Sequence, residues 1–163
     1  MSARRKVEQL FEEAREDVYR YLILLGLSPA EAQEATQDVF LRLYQALSKG
    51  DSIDNERAWI FRVAHNHGLN VRAKQRRTVS IEEGVQVPGY KAGLDEALID
   101  DERKRLLESA LARMSPQERQ CLHLRVQGLK YREIGEALGV GTSTVAKFLQ
   151  RAVEKARGAA SGY

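Results

Sequence analysis

The segment RAWIFRVAHNHGLNVRAKQRR, residues 57–77, combines cationic side chains with apolar ones. It holds six Lys or Arg and no Asp or Glu, in a chain that carries 23 acids. A block of cationic side chains without acids can contact a polyanion. Apolar residues at helical spacing predict that the opposite face of the segment is buried.

Charge is distributed in four blocks along the chain. Residues 1–56 carry 7 basic and 11 acidic groups, and residues 78–118 carry 5 and 9. Residues 119–163 carry 8 basic and 3 acidic groups, so a second basic block follows the one at residues 57–77. Two basic blocks separated by acidic ones favour two separate contacts with a polyanion. The alternative is that these charges only solvate helix faces.

The second basic block contains the pattern of a helix-turn-helix. In YREIGEALGVGTSTVAKFLQRA, residues 131–152, Ile134 and Leu138 lie one turn apart and predict a short buried helix. Gly139 supplies a tight turn, and we expect Thr142 to cap the next helix. A small residue at Gly135 indicates a close approach between helices.

The helix after this turn has a buried stripe and a polar face. Its predicted buried residues are Val145, Leu149 and Ala152, and the opposite face can lie in the major groove of DNA. The alternative, a helical hairpin that binds protein, is disfavoured by the local positive charge. Phe148 fits either packing under the hairpin or contact with a thymine methyl group. The candidate DNA-binding residues of this unit are Arg132, Thr142, Ser143, Thr144, Lys147, Gln150 and Arg151.

Helical periodicity and helix-end signals run through the rest of the chain. Gly26 predicts the end of a first helix, and the SPxE sequences that begin at Ser28 and Ser115 predict capping boxes. Residues 78–93 lose the helical period and gather Gly and Pro. We therefore predict an all-α chain with two small helical domains, residues 1–77 and 97–163, joined by a flexible linker at residues 78–96.

Several functional classes are disfavoured. The longest apolar run, residues 21–27, is far shorter than the roughly 20 residues that span a bilayer, and no export signal is visible, so we expect a cytoplasmic protein without membrane insertion. Histidines 65 and 67 point in different directions on a helix and do not form a metal site, and the single cysteine, Cys121, lies in an apolar run that predicts core packing. No catalytic, metal-binding or cofactor-binding motif appears, so we expect no enzymatic activity and no cofactor.

Residues 110–152, ALARMSPQERQCLHLRVQGLKYREIGEALGVGTSTVAKFLQRA, resemble region 4 of bacterial RNA polymerase sigma factors, and also the output domain of response regulators. The N-terminal half decides between them, because SPAEAQEATQDVFLRLYQAL and AWIFRVAHNHGLNVRAKQRR are similar to sigma region 2 of the extracytoplasmic-function (ECF) group of the sigma-70 family. A response-regulator receiver would need alternating strands and helices. Two departures are Asn70, where the group usually has Asp, and VAKFLQ in place of a more basic recognition helix.

The resemblance implies a role for each half. Region 2 would bind and help melt the minus-ten promoter element, with the loop at residues 51–56 holding an extruded base. The implied minus-ten contacts are Ser52, Asn55, Arg57, Trp59, Arg62, Asn66, Asn70, Arg72, Lys74 and Arg76. The implied contacts with the clamp helices of the polymerase β′ subunit are Gln37, Asp38, Phe40, Leu41 and Tyr44. Region 4 would bind the minus-35 element and the β flap.

The resemblance also implies that Asn66 and Asn70 hydrogen-bond exposed base edges and that Trp59 or Phe61 stacks on a base. Core packing is the alternative for Trp59, Phe61 and Phe40, and it is the stronger reading for Phe40 and for Phe61. The implied partners are core RNA polymerase and promoter DNA, and an anti-sigma factor holds many members of the group. A two-domain DNA-binding regulator that acts without core polymerase is the alternative function. A basic nuclease has almost no support in the sequence.

Overall fold

The computed structural model describes residues 2–78 and 101–161, with side chains to residue 75 in the first range and to residue 159 in the second. Within these ranges every regular element is an α-helix, as predicted. The chain divides into two compact units, residues 1–90 and 91–163, which we call the N-terminal unit and the C-terminal unit. The predicted linker, residues 78–96, lies outside the described residues except for residue 78.

The N-terminal unit contains three helices that pack against one another: α1 (Ala3–Leu24), α2 (Pro29–Ser48) and α3 (Glu56–Thr78). Residues 57–77, predicted as one helix or a pair, lie in a single helix. Burial of large apolar side chains, at roughly 1.5–3 kcal/mol each, is the main term that holds the three helices together. The largest fully buried side chains are those of Val18, Tyr21, Leu22, Leu25, Val39, Leu43, Ile60 and Phe61.

The C-terminal unit contains α4 (Asp101–Arg113), α5 (Pro116–Val126), α6 (Tyr131–Leu138) and α7 (Thr142–Ser161). Helix α7 packs against each of the other three. The predicted stripe of α7 is confirmed, because Val145, Leu149 and Ala152 are all buried. No helix in the described parts of either unit is both long enough and apolar enough to cross a membrane.

Local sequence signals set the ends of several helices as predicted. Ser28 and Ser115 both form complete capping boxes, in which each serine hydroxyl accepts a hydrogen bond from the backbone N–H of Glu31 or Glu118. The carboxylates of these glutamates accept in return from the serine N–H groups. Helix α1 ends at Leu24, and Gly26 lies two residues later with a φ of 103°, which is in the region that favours glycine. The prediction for Gly26 is confirmed.

The turn between α6 and α7 differs in one detail from the prediction. Gly139 has φ 73° and ends α6 in the left-handed conformation. The first backbone hydrogen bond of α7 runs from the N–H of Val145 to the carbonyl of Gly141, so Gly141 occupies the cap position. Thr142 is the first helical residue, and the prediction that it caps α7 is wrong. A glycine in the cap position leaves the turn compact, because no side chain has to be placed there.

Gly135 is confirmed as a site of close approach, although its neighbour is the turn and not a second helix. A Cβ atom at Gly135 would lie 2.6 Å from the backbone carbonyl oxygen of Val140. We expect Gly135→Ala to lower the free energy of unfolding of the C-terminal unit by about 1–3 kcal/mol, because backbone has to shift. Thermal unfolding followed by circular dichroism measures this effect.

Gly158 provides the matched control for Gly135. It also lies in a helix, but a Cβ atom there would meet no heavy atom within 4 Å. Gly158→Ala is therefore expected to stabilise α7 by up to about 1 kcal/mol through helix propensity. Equal effects of the two substitutions would show that the close contact at Gly135 has no energetic weight.

Candidate nucleic-acid interface

Helix α3 separates a buried face from an exposed polar face. Ile60, Phe61 and Ala64 are fully buried, which confirms core packing for Phe61. Residues at four-residue spacing share one side of a helix, and the exposed members of the predicted minus-ten set that lie on α3 have this spacing. They are Arg62, Asn66, Asn70 and Lys74. This stripe, which we call the α3 polar stripe, can follow a nucleic-acid strand.

Two arginines of the predicted minus-ten set are engaged inside the unit. Nη2 of Arg57 lies 3.0 Å from Oδ2 of Asp17 on α1, and its guanidinium lies 5.6 Å from the ring centroid of Phe61. Nη1 of Arg72 donates a 2.9 Å hydrogen bond to the carbonyl of Leu25. In this structure both arginines hold α3 against α1, a role that the sequence analysis did not predict.

The loop before α3 has one member with a defined structural role. Oδ1 of Asn55 accepts a 3.2 Å hydrogen bond from the N–H of Ala58, and its carbonyl accepts from Trp59. Asn55 therefore caps α3. Ser52 is exposed and Trp59 is half-buried, so the ring of Trp59 is partly accessible. The side chain of Arg76 lies outside the described residues.

A buried pair of polar side chains joins α3 to α1. The hydroxyl of Tyr21 on α1 is 2.7 Å from Nδ1 of His65 on α3, and both side chains are buried. Burial lowers the pKa of His65 to about 4, so the ring is neutral at physiological pH. Since a neutral imidazole can hydrogen-bond a hydroxyl without a buried charge, the pair fixes α3 on α1. Nothing in the periodicity of the sequence indicates this pair.

Part of the predicted polymerase-binding face of α2 is exposed to solvent, and part is buried. Leu41 and Tyr44 are 55% and 41% exposed, which is unusual for large apolar side chains and typical of a binding surface. Gln37 is exposed beside them, at the spacing of one helix face. Phe40 is buried and its ring packs edge-on against Phe11 at 5.1 Å. Its assignment to the contact surface is therefore corrected: Phe40 is a core residue.

The outer face of α7 presents polar side chains to solvent. Thr142, Ser143 and Lys147 are exposed, and Thr144 and Phe148 are half-buried. Arg132, Gln150 and Arg151 are also exposed, but Nε2 of Gln150 lies 3.4 Å from Oε1 of Glu154. The N-terminal half of α7 therefore offers the donors and acceptors that read base edges in a major groove.

A buried ion pair anchors the C-terminal half of α7. Nζ of Lys155 contacts both carboxylate oxygens of Glu118, at 3.0 Å for Oε2. Burial raises the pKa of Glu118, but Lys155 and hydrogen bonds from Ser115 outweigh burial and the net pKa is lowered. The same carboxylate thus completes the capping box of α5 and holds α7, which fixes the helix that carries the candidate DNA contacts.

The remaining candidates for chemistry lie in the core or form no cluster. Cys121 is buried, and burial raises the pKa of its thiol to about 11; core packing is confirmed for it. Among the side chains that the structure describes, no group of three or more His, Cys, Asp or Glu could hold a metal ion.

Two family models match the chain, one in each unit. Sigma-70 region 2 matches residues 10–78, which include α2 and α3. Sigma-70, region 4, matches residues 104–155, which include the helix-turn-helix. Together the matches extend over most of the chain in the order region 2, region 4.

Named relatives and solved structures agree with these matches. The ECF RNA polymerase sigma factor SigK of Mycolicibacterium vanbaalenii is 26% identical over 161 residues, covering 92% of this chain and 81% of that protein. The SigE factor of Mycolicibacterium smegmatis is 26% identical over 154 residues, covering 92% of this chain and 60% of that protein.

The fold of this chain is similar to that of one chain in each of two solved complexes. The sigma factor RpoE of Bartonella quintana, solved with the anti-sigma factor NepR, has a TM-score of 0.66 at 19% identity, covering 94% of this chain and 96% of that one. CnrH, solved with the cytosolic domain of CnrY, has a TM-score of 0.63 at 18% identity, covering 98% and 90%. The two matched regions and these relatives show that the chain belongs to the extracytoplasmic-function group of the sigma-70 family.

Proposed function

We propose that this sigma factor binds core RNA polymerase through α2, reads and opens the minus-ten element with α3 and the loop before it, and reads the minus-35 element with α7. The observation that carries the proposal is the α3 polar stripe. Its four exposed polar or cationic residues lie opposite a fully buried face. A helix anchored in this way can hold a displaced strand, because its position does not depend on the DNA.

The polymerase contact rests on the chemistry of the exposed face of α2. Leu41 and Tyr44 supply apolar area, and the carboxylate of Asp38 supplies negative charge at its edge. Such a face suits a partner helix with basic and apolar side chains, as proposed for the clamp helices of β′. Region 4 would contact the β flap.

The role needs no catalysis by this chain, since the polymerase forms the RNA. Because polymerase and promoter are its proposed partners, its place of action is the cytoplasm. An anti-sigma factor is a further proposed partner, as NepR is for the RpoE neighbour.

The test separates polymerase binding from DNA reading. We expect Asp38→Lys to weaken binding to core polymerase by about ten-fold or more, because it places a like charge against a basic partner, and to leave sequence preference at the upstream element unchanged. Binding is measured by fluorescence titration of core enzyme with labelled sigma factor. Glu12→Lys, an exposed charge reversal on α1, is the matched control.

Lys147→Ala is expected to show the opposite behaviour. Loss of one base or phosphate contact changes the upstream preference by about ten-fold, while binding to core polymerase stays at the wild-type level. Run-off transcription from a promoter library measures the preference, with Arg105→Ala on α4 as control. Promoter-specific binding by the isolated chain, with no association with core enzyme, would instead support the alternative of a polymerase-independent regulator.

A further inference from the structure

A three-residue polar network connects α3 to the polymerase-binding face of α2. Nδ1 of His67 on α3 lies 3.2 Å from Nη2 of Arg42 on α2. The other ring nitrogen, Nε2, lies 3.4 Å from Oδ2 of Asp38, also on α2. The His67 side chain is 15% exposed and that of Asp38 is 45% exposed. The ring is thus largely covered, while the carboxylate that it faces is open to a partner.

The chemistry of the arginine determines which ring nitrogen carries the proton. A guanidinium group has donors only, so Nδ1 of His67 must accept from Arg42 through its lone pair. In the neutral ring the proton then resides on Nε2, the nitrogen that faces Asp38. Neutral His67 can therefore accept from one neighbour on α2 and present an N–H to the other.

We propose that His67 is a positioning residue of the polymerase-binding face, which holds the Asp38 carboxylate at the edge of that face while its own ring is neutral. The inference rests on the proposed function, because it needs α2 to bind polymerase. Asp38 was assigned to the contact from the family resemblance alone, and the network now gives a physical reason for its orientation. His67 belongs to none of the predicted sites, since its partners are on another helix.

Two substitutions of His67 distinguish positioning from packing. Glutamine offers one acceptor and one donor group, as the neutral ring does, but does not titrate; leucine fills space and offers neither. At pH 8 we expect His67→Gln to bind core polymerase within about two-fold of wild type, and His67→Leu to bind about five-fold more weakly. Binding is measured by fluorescence titration with the full-length chain and core enzyme.

A double mutant completes the test. In an Asp38→Asn background, His67→Leu should have no further effect. Trp59 fluorescence checks that each variant is folded, and if His67→Leu unfolds, His67→Ala replaces it in both backgrounds.

The possible failures are separable. If wild type binds core enzyme and His67→Gln binds as weakly as His67→Leu, the positioning role of His67 is overturned and the proposed function stands. The positioning role is also overturned if His67→Leu binds with wild-type affinity, or if His67→Leu has an undiminished effect in the Asp38→Asn background. If wild type does not bind core enzyme at all, the proposed function itself fails.

Discussion

Replacing Lys155 with Met is expected to lower the free energy of unfolding of the C-terminal unit by about 3 kcal/mol at pH 7. The substitution keeps most of the side-chain volume and removes the ammonium group that contacts both oxygens of Glu118. Glu118 is only 2% exposed, so its carboxylate would be left buried with the capping-box N–H as its recorded partner. Hydrogen exchange of the amides in α5 to α7 measures the change.

The reciprocal substitution is the control. Glu118→Gln also breaks the ion pair, but glutamine can still complete the capping box with Ser115. The Lys155 side chain is already 37% exposed, and its ammonium group can turn to water. We therefore expect Glu118→Gln to cost about 1 kcal/mol, clearly less than Lys155→Met. Equal losses of stability in the two variants would show that the unpaired buried carboxylate of Glu118 does not cause the loss in Lys155→Met.

The sign of the pH dependence gives a second check on Lys155. In wild type the pKa of Glu118 is lowered, so the pair adds stability above the unfolded-state pKa of glutamate and this stability is lost as pH falls through the folded-state pKa. Without Lys155 the largest influence that lowers this pKa is lost, so the folded-state pKa of Glu118 is higher in Lys155→Met than in wild type and less stability is lost as pH falls. The stability difference between wild type and Lys155→Met should shrink from pH 7 to pH 4.

Acid is expected to destabilise the N-terminal unit through His65. Burial lowers the pKa of His65 from its ordinary value of 6.5 to about 4, so between these values the unfolded chain binds a proton that the folded unit does not bind. Stability is fully present above about pH 6.5 and falls as pH drops towards 4, by roughly 3 kcal/mol over this window. Urea unfolding followed by fluorescence measures it, since Trp59 is the one tryptophan of the chain and lies in this unit.

A double substitution isolates the contribution of His65. His65→Leu combined with Tyr21→Phe removes both partners of the buried hydrogen bond, so neither polar group is left without this partner. The variant can differ from wild type in stability at pH 7, but its stability should change less between pH 6.5 and pH 4. Parallel curves for the two proteins would show that His65 is not the cause of the acid sensitivity.

The sequence predicted the features that depend on near neighbours. The capping boxes at Ser28 and Ser115, the end of α1 before Gly26 and the buried stripe of α7 all arise from residues within a few positions of one another. Exposure of Leu41 and Tyr44 followed from the helical period, because the opposite side of α2 is buried. The error at Thr142 is equally local: two adjacent residues could cap α7, and the turn geometry selected Gly141.

The features that the sequence did not predict join distant residues. Tyr21 and His65 are 44 positions apart, and Glu118 and Lys155 are 37 apart. Each of these residues fits an ordinary helix pattern by itself, and only the packing of the helices shows that it has a partner. Phe40 is a further example. Its contact with Phe11 depends on how α1 crosses α2, so the sequence alone could not decide between the core and the polymerase-binding face.

The environment of Cys121 bears on how this factor could be regulated. Thiolate is the form that reacts with peroxides and other thiol-modifying compounds, and a thiol with a pKa of about 11 in the core provides very little of it at neutral pH. Since Cys121 is the one cysteine of the sequence, thiol-modifying oxidants are expected to react slowly with this chain while it is folded.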